Sequence, residues 1–266
     1  MKERPVSSIQ VIDRMARLLE LVAESDTPVS LKVLAAETGL HPSTAFRILA
    51  ALSEHGFVER DSHGRYRLGV KLLRWGARMR EGVDVRDEAR PIMERLRDRL
   101  GETVNLVVRH GDEVIYVDRA TTSRMMRVEQ IIGSRAPLHV TAVGKLFLAD
   151  GGAEACLEYA QRTGLPAFTP NTITDATALW RAVKQAAQQG FALDNEEAEL
   201  GVGCIAVPIR DASGSMAAGL SVSAPIERRR DEWIALVQEA GRQLSERLGF
   251  VRRENKNNDK STSGIR

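Results

Sequence analysis

The 266 residues, 43% hydrophobic and 28% charged, with a formal net charge of +2, describe an ordinary folded chain with room for two cores and exclude a fibrous or wholly disordered protein. No stretch approaches the ~20 apolar residues of a membrane span and no apolar run follows the first charges, so a cytoplasmic protein is expected. The two distant cysteines, Cys156 and Cys204, exclude a disulfide framework and a cysteine-based zinc site, and both are expected to be reduced. Charge is unevenly placed: residues 1–80 hold 13 Lys and Arg against 9 Asp and Glu, and residues 81–266 hold 25 against 27.

In chain order, Ser7 or Ser8 is expected to cap a first helix, on which Ile9, Ile12, Met15, Leu18, Leu19 and Val22 keep helical spacing and which Thr27-Pro28 ends. Ser30 caps a short helix from Leu31 to Thr38 closed by Gly39, and Pro42 opens a third that runs to about His55 and stops at Gly56. Residues 57–60 and 66–68 then read as two short strands around the turn 61–64. Three helices and a small hairpin make a winged helix-turn-helix, predicted over 7–69. A linker helix follows over 70–83, with Leu72, Leu73, Trp75 and Met79 more apolar than a simple linker requires, and the domain boundary falls near 82–84.

Beyond a charged helix ending at Leu100 the period changes. Strands are predicted at 104–109 and 114–119 as a hairpin, helices at 144–149, 153–162 and 176–189, strands at 191–193, 204–210 and 216–224, and a closing helix from about Arg230 to Leu248. This second domain, 84–250, is α+β. The tail, 251–266, is too polar to hold a core and is expected to be disordered.

In the third helix Ala45, Ile48, Leu49 and Leu52 form one apolar stripe, so Ser43, Thr44 and Arg47 face the other way. Hydroxyls and a guanidinium suit phosphates and major-groove base edges of double-stranded DNA. Phe46 falls between the faces and either packs on a thymine methyl or completes the core. In the wing, Arg65 and Arg67 alternate with Tyr66 and Leu68, which puts both guanidiniums on one side for phosphate or minor-groove contact and both apolar groups on the other. On their own, two arginines on a hairpin read first as an ordinary solvated surface; the proline-opened helix at the right distance reverses that balance in favour of DNA.

The segment from Val29 to Val58, together with Pro137-Leu-His-Val-Thr-Ala-Val-Gly-Lys-Leu-Phe-Leu-Ala, Gly190-Phe-Ala-Leu-Asp-Asn-Glu-Glu and Gly201-Val-Gly-Cys-Ile-Ala-Val-Pro-Ile, resembles the IclR family of bacterial regulators from about residue 7 to 250. The resemblance implies a GAF-like effector domain, a homodimer or a homotetramer of paired dimers, and more often a repressor than an activator, frequently of genes for catabolism of organic or aromatic acids. The predicted helix start at Thr141-Ala-Val-Gly-Lys offers unpaired amides around Ala142 and Val143 to a carboxylate. Family members that bind small oxo-acids hold them with that helix start and with an Asp, a Cys and two Ser, which match Asp194, Cys204, Ser221 and Ser223 here. Because Asp194 lies among Glu196, Glu197 and Glu199, the ligand's carboxylate is expected to face the helix start, leaving Asp194 to accept a bond from a ligand hydroxyl or to be protonated. The three glutamates are expected in a solvated loop. Arg124, Arg127 and Arg135 are weak candidates for a second carboxylate.

Two alternatives remain open at this point. Cys204 as an enzyme nucleophile has no base, because His41, His55, His63, His110 and His139 are scattered and only His139, expected to brace a loop, is near. The other alternative is a DNA-binding assembly protein without a ligand. No P-loop, GxGxxG or HExxH pattern occurs, so neither a cofactor nor a metal is expected.

Overall fold

The computed structural model describes residues 9–82 and 84–251, which form two compact units divided at Gly82 and Val83. Ser7 and Ser8, the Met79 side chain and the tail from residue 252 lie outside the described residues.

The first unit begins with α1, Gln10–Glu24, whose N-cap is Ile9 without a side-chain bond. β1, Val29–Ser30, leads into α2, Leu31–Thr38, where the Ser30 hydroxyl accepts from the Val33 amide at 3.4 Å. Gly39 closes α2 with φ 67, a left-handed conformation that costs glycine nothing and any side chain strain. α3, Pro42–Glu54, has its proline at the first helical position. The wing is β2, Val58–Arg60, and β3, Arg65–Leu68, and α4, Val70–Gly82, follows.

The wing strands do not stand alone. β1 pairs with β3 to give a three-stranded antiparallel sheet, β1-β3-β2, in which β3 is central. Leu18, Val22, Leu34, Leu49, Leu52, Val58 and Tyr66 make the core of this unit. Tyr66 is buried, but Leu68, expected beside it, is 41% exposed. Alternation fixes the side of a sheet, not the depth of burial, and Leu68 is the last residue of its strand.

In the second unit Asp84 caps α5, Val85–Leu100, by accepting from the Arg86 amide at 2.9 Å. The hairpin β4, Thr103–His110, and β5, Glu113–Ala120, is followed by a short strand that the periodicity does not predict, β6, Arg135–Pro137. A single turn of tight helix, Leu138–Val140, then enters α6, Ala142–Thr163, which Gly152, with non-helical φ 80 and ψ −172, breaks into the two successive helices that the sequence suggests. α7, Ala176–Gln189, β7, Ala192–Asn195, β8, Val202–Arg210, β9, Met216–Pro225, and α8, Trp233–Arg247, complete the unit.

Six antiparallel strands lie in the order β6-β5-β4-β9-β8-β7. One face packs Leu106, Ile205, Leu220 and Val222 against α5 and α8; the other packs Val107, Ala206 and Met216 against α6 and α7. Period-two alternation accounts for both, since a sheet covered on two sides needs apolar residues at successive positions.

Candidate functional site

On α3 the apolar stripe faces inward, with Ala45, Leu49 and Leu52 buried and Ile48 half-buried. Ser43 and Arg47 are exposed, Thr44 is half-buried, and Phe46 is 45% exposed, which settles its two readings against the core. The helix start holds a feature absent from the periodicity. His41 is the N-cap, its Nδ1 2.8 Å from the Ser43 hydroxyl, so Ser43 is held by the cap rather than free to rotate.

Both arginines of β3 have a carboxylate partner. Arg65 lies 3.1 Å from Asp61 and Arg67 2.8 Å from Glu59. These pairs sit at the surface, where water screens them and leaves each weak, so a phosphate can replace the carboxylate. The Asp61 side chain also accepts the amides of His63 and Arg65 at 2.9 Å, which shapes the wing tip.

A second site lies within the other unit, in a cavity of about 130 Å³ between the start of α6 and the sheet. Of the residues expected there, Ala142, Val143, Asp194, Cys204 and Ser221 line it. Ser223 does not. It is fully buried one step behind, with its Oγ 3.3 Å from Cys204 Sγ. Tyr116, Gln130, Arg135, Thr141 and Glu199 also line it, with Ala136, Ala198 and Val202; of the three candidate arginines only Arg135 is there, while Arg127 pairs with Glu129 at 2.8 Å and Arg124 lies 3.9 Å from Glu102.

The start of α6 is built by close approach. A Cβ on Gly144 would stand 2.1 Å from the Leu138 carbonyl oxygen, so only glycine lets the preceding turn press against the helix. Thr141 caps this end by accepting the Gly144 amide at 3.0 Å. The first amides of a helix have no partner within it, which leaves those of Ala142 and Val143 at the cavity wall.

Opposite them stands Asp194, buried, with Oδ1 accepting the Glu197 amide at 2.8 Å. Burial pushes its carboxyl up to about 6, helped by the charge of Glu197 and opposed by that of Lys145. Burial and the charge of Asp194 likewise hold the Cys204 thiol far above its ordinary range, so the sulfur keeps its proton. Tyr116 is raised for the same reason, burial first.

The acidic loop is not uniformly solvated. Glu199 is exposed and Glu196 half-buried, but Glu197 is buried and lies 2.5 Å from Lys145 Nζ, which also donates to the Leu193 carbonyl at 2.8 Å. Four acidic residues in six positions mimic a surface run; the compensating lysine lies far away in sequence, on α6. His139 is buried with its ring nitrogens 2.9 Å from the Tyr159 hydroxyl and 3.0 Å from the Pro166 carbonyl, so it braces the segment before α6, as expected. It is spent there and cannot serve Cys204 as a base.

A helix-turn-helix with its polar helix face outward, joined in one chain to an α+β unit with a small polar cavity, defines a DNA-binding regulator with a second, cavity-bearing domain. Comparison with known proteins agrees. Residues 11–62 match the IclR helix-turn-helix domain and residues 78–246 the C-terminal domain of bacterial IclR transcriptional regulators. The chain belongs to the IclR family of transcriptional regulators, and its relatives are regulators rather than enzymes. It is 34% identical over 250 residues to the HTH-type transcriptional regulator XynR of Escherichia coli K12, covering 91% of this chain and 98% of that one. The crystal structure of the Agobacterium tumefaciens repressor BlcR superposes with a TM-score of 0.73 at 27% identity, over 92% of this chain and 99% of its own. An IclR homologue from Microbacterium hydrocarbonoxydans, solved with 4-hydroxybenzoate, matches with a TM-score of 0.58 at 27% identity, over 90% of this chain and 98% of its own. Among the described residues no helix is long and apolar enough to cross a membrane.

Proposed function

We propose that the chain is a cytoplasmic repressor of catabolic genes that binds operator DNA through α3 and the wing and releases it when a small organic acid occupies the cavity. The observation that supports this most is the polarity of that cavity. Uncapped amides at the positive end of α6 face a buried carboxyl, a protonated thiol and the Ser221 hydroxyl across a space of about 130 Å³. A carboxylate fits the first wall and a hydroxyl or carbonyl hydrate the second. In DNA recognition Arg47, Ser43, Thr44 and Phe46 address the groove, and Arg65 and Arg67 the backbone or minor groove.

Pockets for drug-sized ligands run to roughly 300–1,000 Å³, so this volume favours acids of a few carbons. An aromatic acid is a second reading, supported by the Tyr116 ring in the wall and by the relative solved with 4-hydroxybenzoate. Calorimetry with two- to four-carbon hydroxy- and oxo-acids and with 4-hydroxybenzoate separates the two. Heat of binding without turnover, together with release of DNA taken from upstream of the neighbouring genes, is the expected result. Turnover of any acid would revive an enzymatic role for Cys204, and no heat from any of them would leave the cavity without its proposed ligand.

A further inference from the structure

The sheet carries a polar row that continues past the cavity wall. Thr103 on β4, Ser223 on β9, Cys204 on β8 and Asp194 on β7 are successive cross-strand partners, so their side chains emerge on one face. Asn105, two residues beyond Thr103, shares that face. Thr103 and Asn105 are both completely buried. A buried amide is costly unless bonded, and this one is bonded on one side only: Asn105 Nδ2 donates to Ser223 Oγ at 3.1 Å, while Asn105 Oδ1 and Thr103 Oγ1 have no partner among the described residues.

A serine hydroxyl has a single proton. Since the Asn105 amide nitrogen can only donate, Ser223 Oγ accepts there, which leaves its own proton available to the other neighbour, Cys204 Sγ, 3.3 Å away, a contact in which either atom can donate. Sulfur used as an acceptor on that side directs its S–H to the next group in the row. That group is Asp194, opposite Cys204 in the β7–β8 register.

We propose that Asn105 is a positioning residue of the effector site, setting the direction of a hydrogen-bond chain from its amide through Ser223 and Cys204 to the Asp194 carboxyl. The chain presets the cavity before any ligand enters. The α6 end offers donors, while the β7 end offers a carboxyl fixed in orientation by the thiol and by the Glu197 amide. A hydrogen bond from Cys204 to Asp194 favours the protonated sulfur, whereas one from Ser223 to Cys204 opposes it. An acid with a hydroxyl remote from its carboxylate matches such a pattern, and to this extent the inference rests on the proposed effector role.

Its test needs no ligand. The S–H stretch is a vibration that only cysteines give, and the chain has two cysteines, so Cys204→Ser assigns the infrared band of each in the full-length protein. Asn105→Leu keeps the bulk and removes the donor; the Ser223 hydroxyl is then free to turn, and the Cys204 band should move to higher frequency and broaden as its S–H leaves the carboxyl. Ser223→Ala should move it in the same direction, and the double variant should add nothing further. An unmoved Cys204 band in either single variant, or additive shifts in the double, would overturn the proposal. If Asn105→Leu does not fold, the Ser223→Ala spectrum decides alone. Since no acid is added, this result is separate from calorimetric failure of the effector role.

Discussion

Asp194 is a buried acid in a cavity proposed to receive an anion, and its proton is accordingly a measurable quantity. Its carboxyl titrates at about 6, against an ordinary value of ~3.9. The folded chain thus holds this proton more tightly than the unfolded chain. The resulting stabilisation is complete below pH ~4 and is lost as pH rises through about 6, a contribution of roughly 3 kcal/mol. Asp194→Asn, neutral throughout, should flatten that fall in urea midpoints measured from about pH 4 to 7, and it should also remove the weakening of anion binding expected of the parent as pH rises through the same range. A parent-like profile in the variant would mean that another group titrates. On the DNA side, Arg47→Ala should cost ~1–3 kcal/mol of operator affinity and less on random DNA. Equal losses on both would reassign Arg47 to a phosphate.

At the scale of elements, the wing and the Lys145–Glu197 tie make separate demands. Removing Arg65 or Arg67 should each lower the slope of log affinity against log salt by ~0.9. An unchanged slope would take the wing out of the interface, with the arginines remaining partners of Asp61 and Glu59. Lys145 and Glu197 join α6 to the loop after β7, both buried. Breaking such a pair from one side costs ~3–5 kcal/mol, whereas replacing both by apolar groups of similar size is often near neutral. Urea unfolding of Lys145→Met, Glu197→Met and the double variant carrying both should therefore show two strongly destabilised singles and a double more stable than either. Additive losses would deny the coupling.

These elements also show what a sequence can disclose. The cap at Ser30, the proline at the start of α3 and the alternation of β4, β8 and β9 are local signals, and the structure follows them. β1 and β6, with two and three residues, are too short for a period to register, and only their partners make them strands. In the cavity, the amides of α6 and Asp194, Cys204 and Ser221 were accessible through the family resemblance. Tyr116 in the wall and Asn105 behind it were not, because pairing across the sheet sets them in place, nor was Gln130, which lies in the loop between β5 and β6 with its carbonyl accepting from Arg119. Glu197 was misread for the same reason, its lysine being distant along the chain.

For the whole molecule, surface chemistry suggests more than one copy. On α4, Leu73 is 73% exposed and Trp75 49% exposed, Trp75 edge-on to Phe57 with ring centroids 5.1 Å apart; on α1, Ile9 is 62% and Ile12 50% exposed. Apolar groups of this size left in water on consecutive turns suit an interface between copies. Light scattering should report at least a dimer, and the operator should contain two related half-sites; a monomer on one asymmetric site would contradict this. The central claim is that a ligand in the α6 cavity controls DNA binding by the other unit. It is tested most directly by titrating the acid identified by calorimetry into operator complexes of the parent and of Ser221→Ala, following release by fluorescence anisotropy. Loss of one buried hydrogen bond, ~1 kcal/mol, should raise the release midpoint about fivefold and leave ligand-free operator affinity unchanged. A midpoint equal to that of the parent would contradict the account and place the controlling site elsewhere.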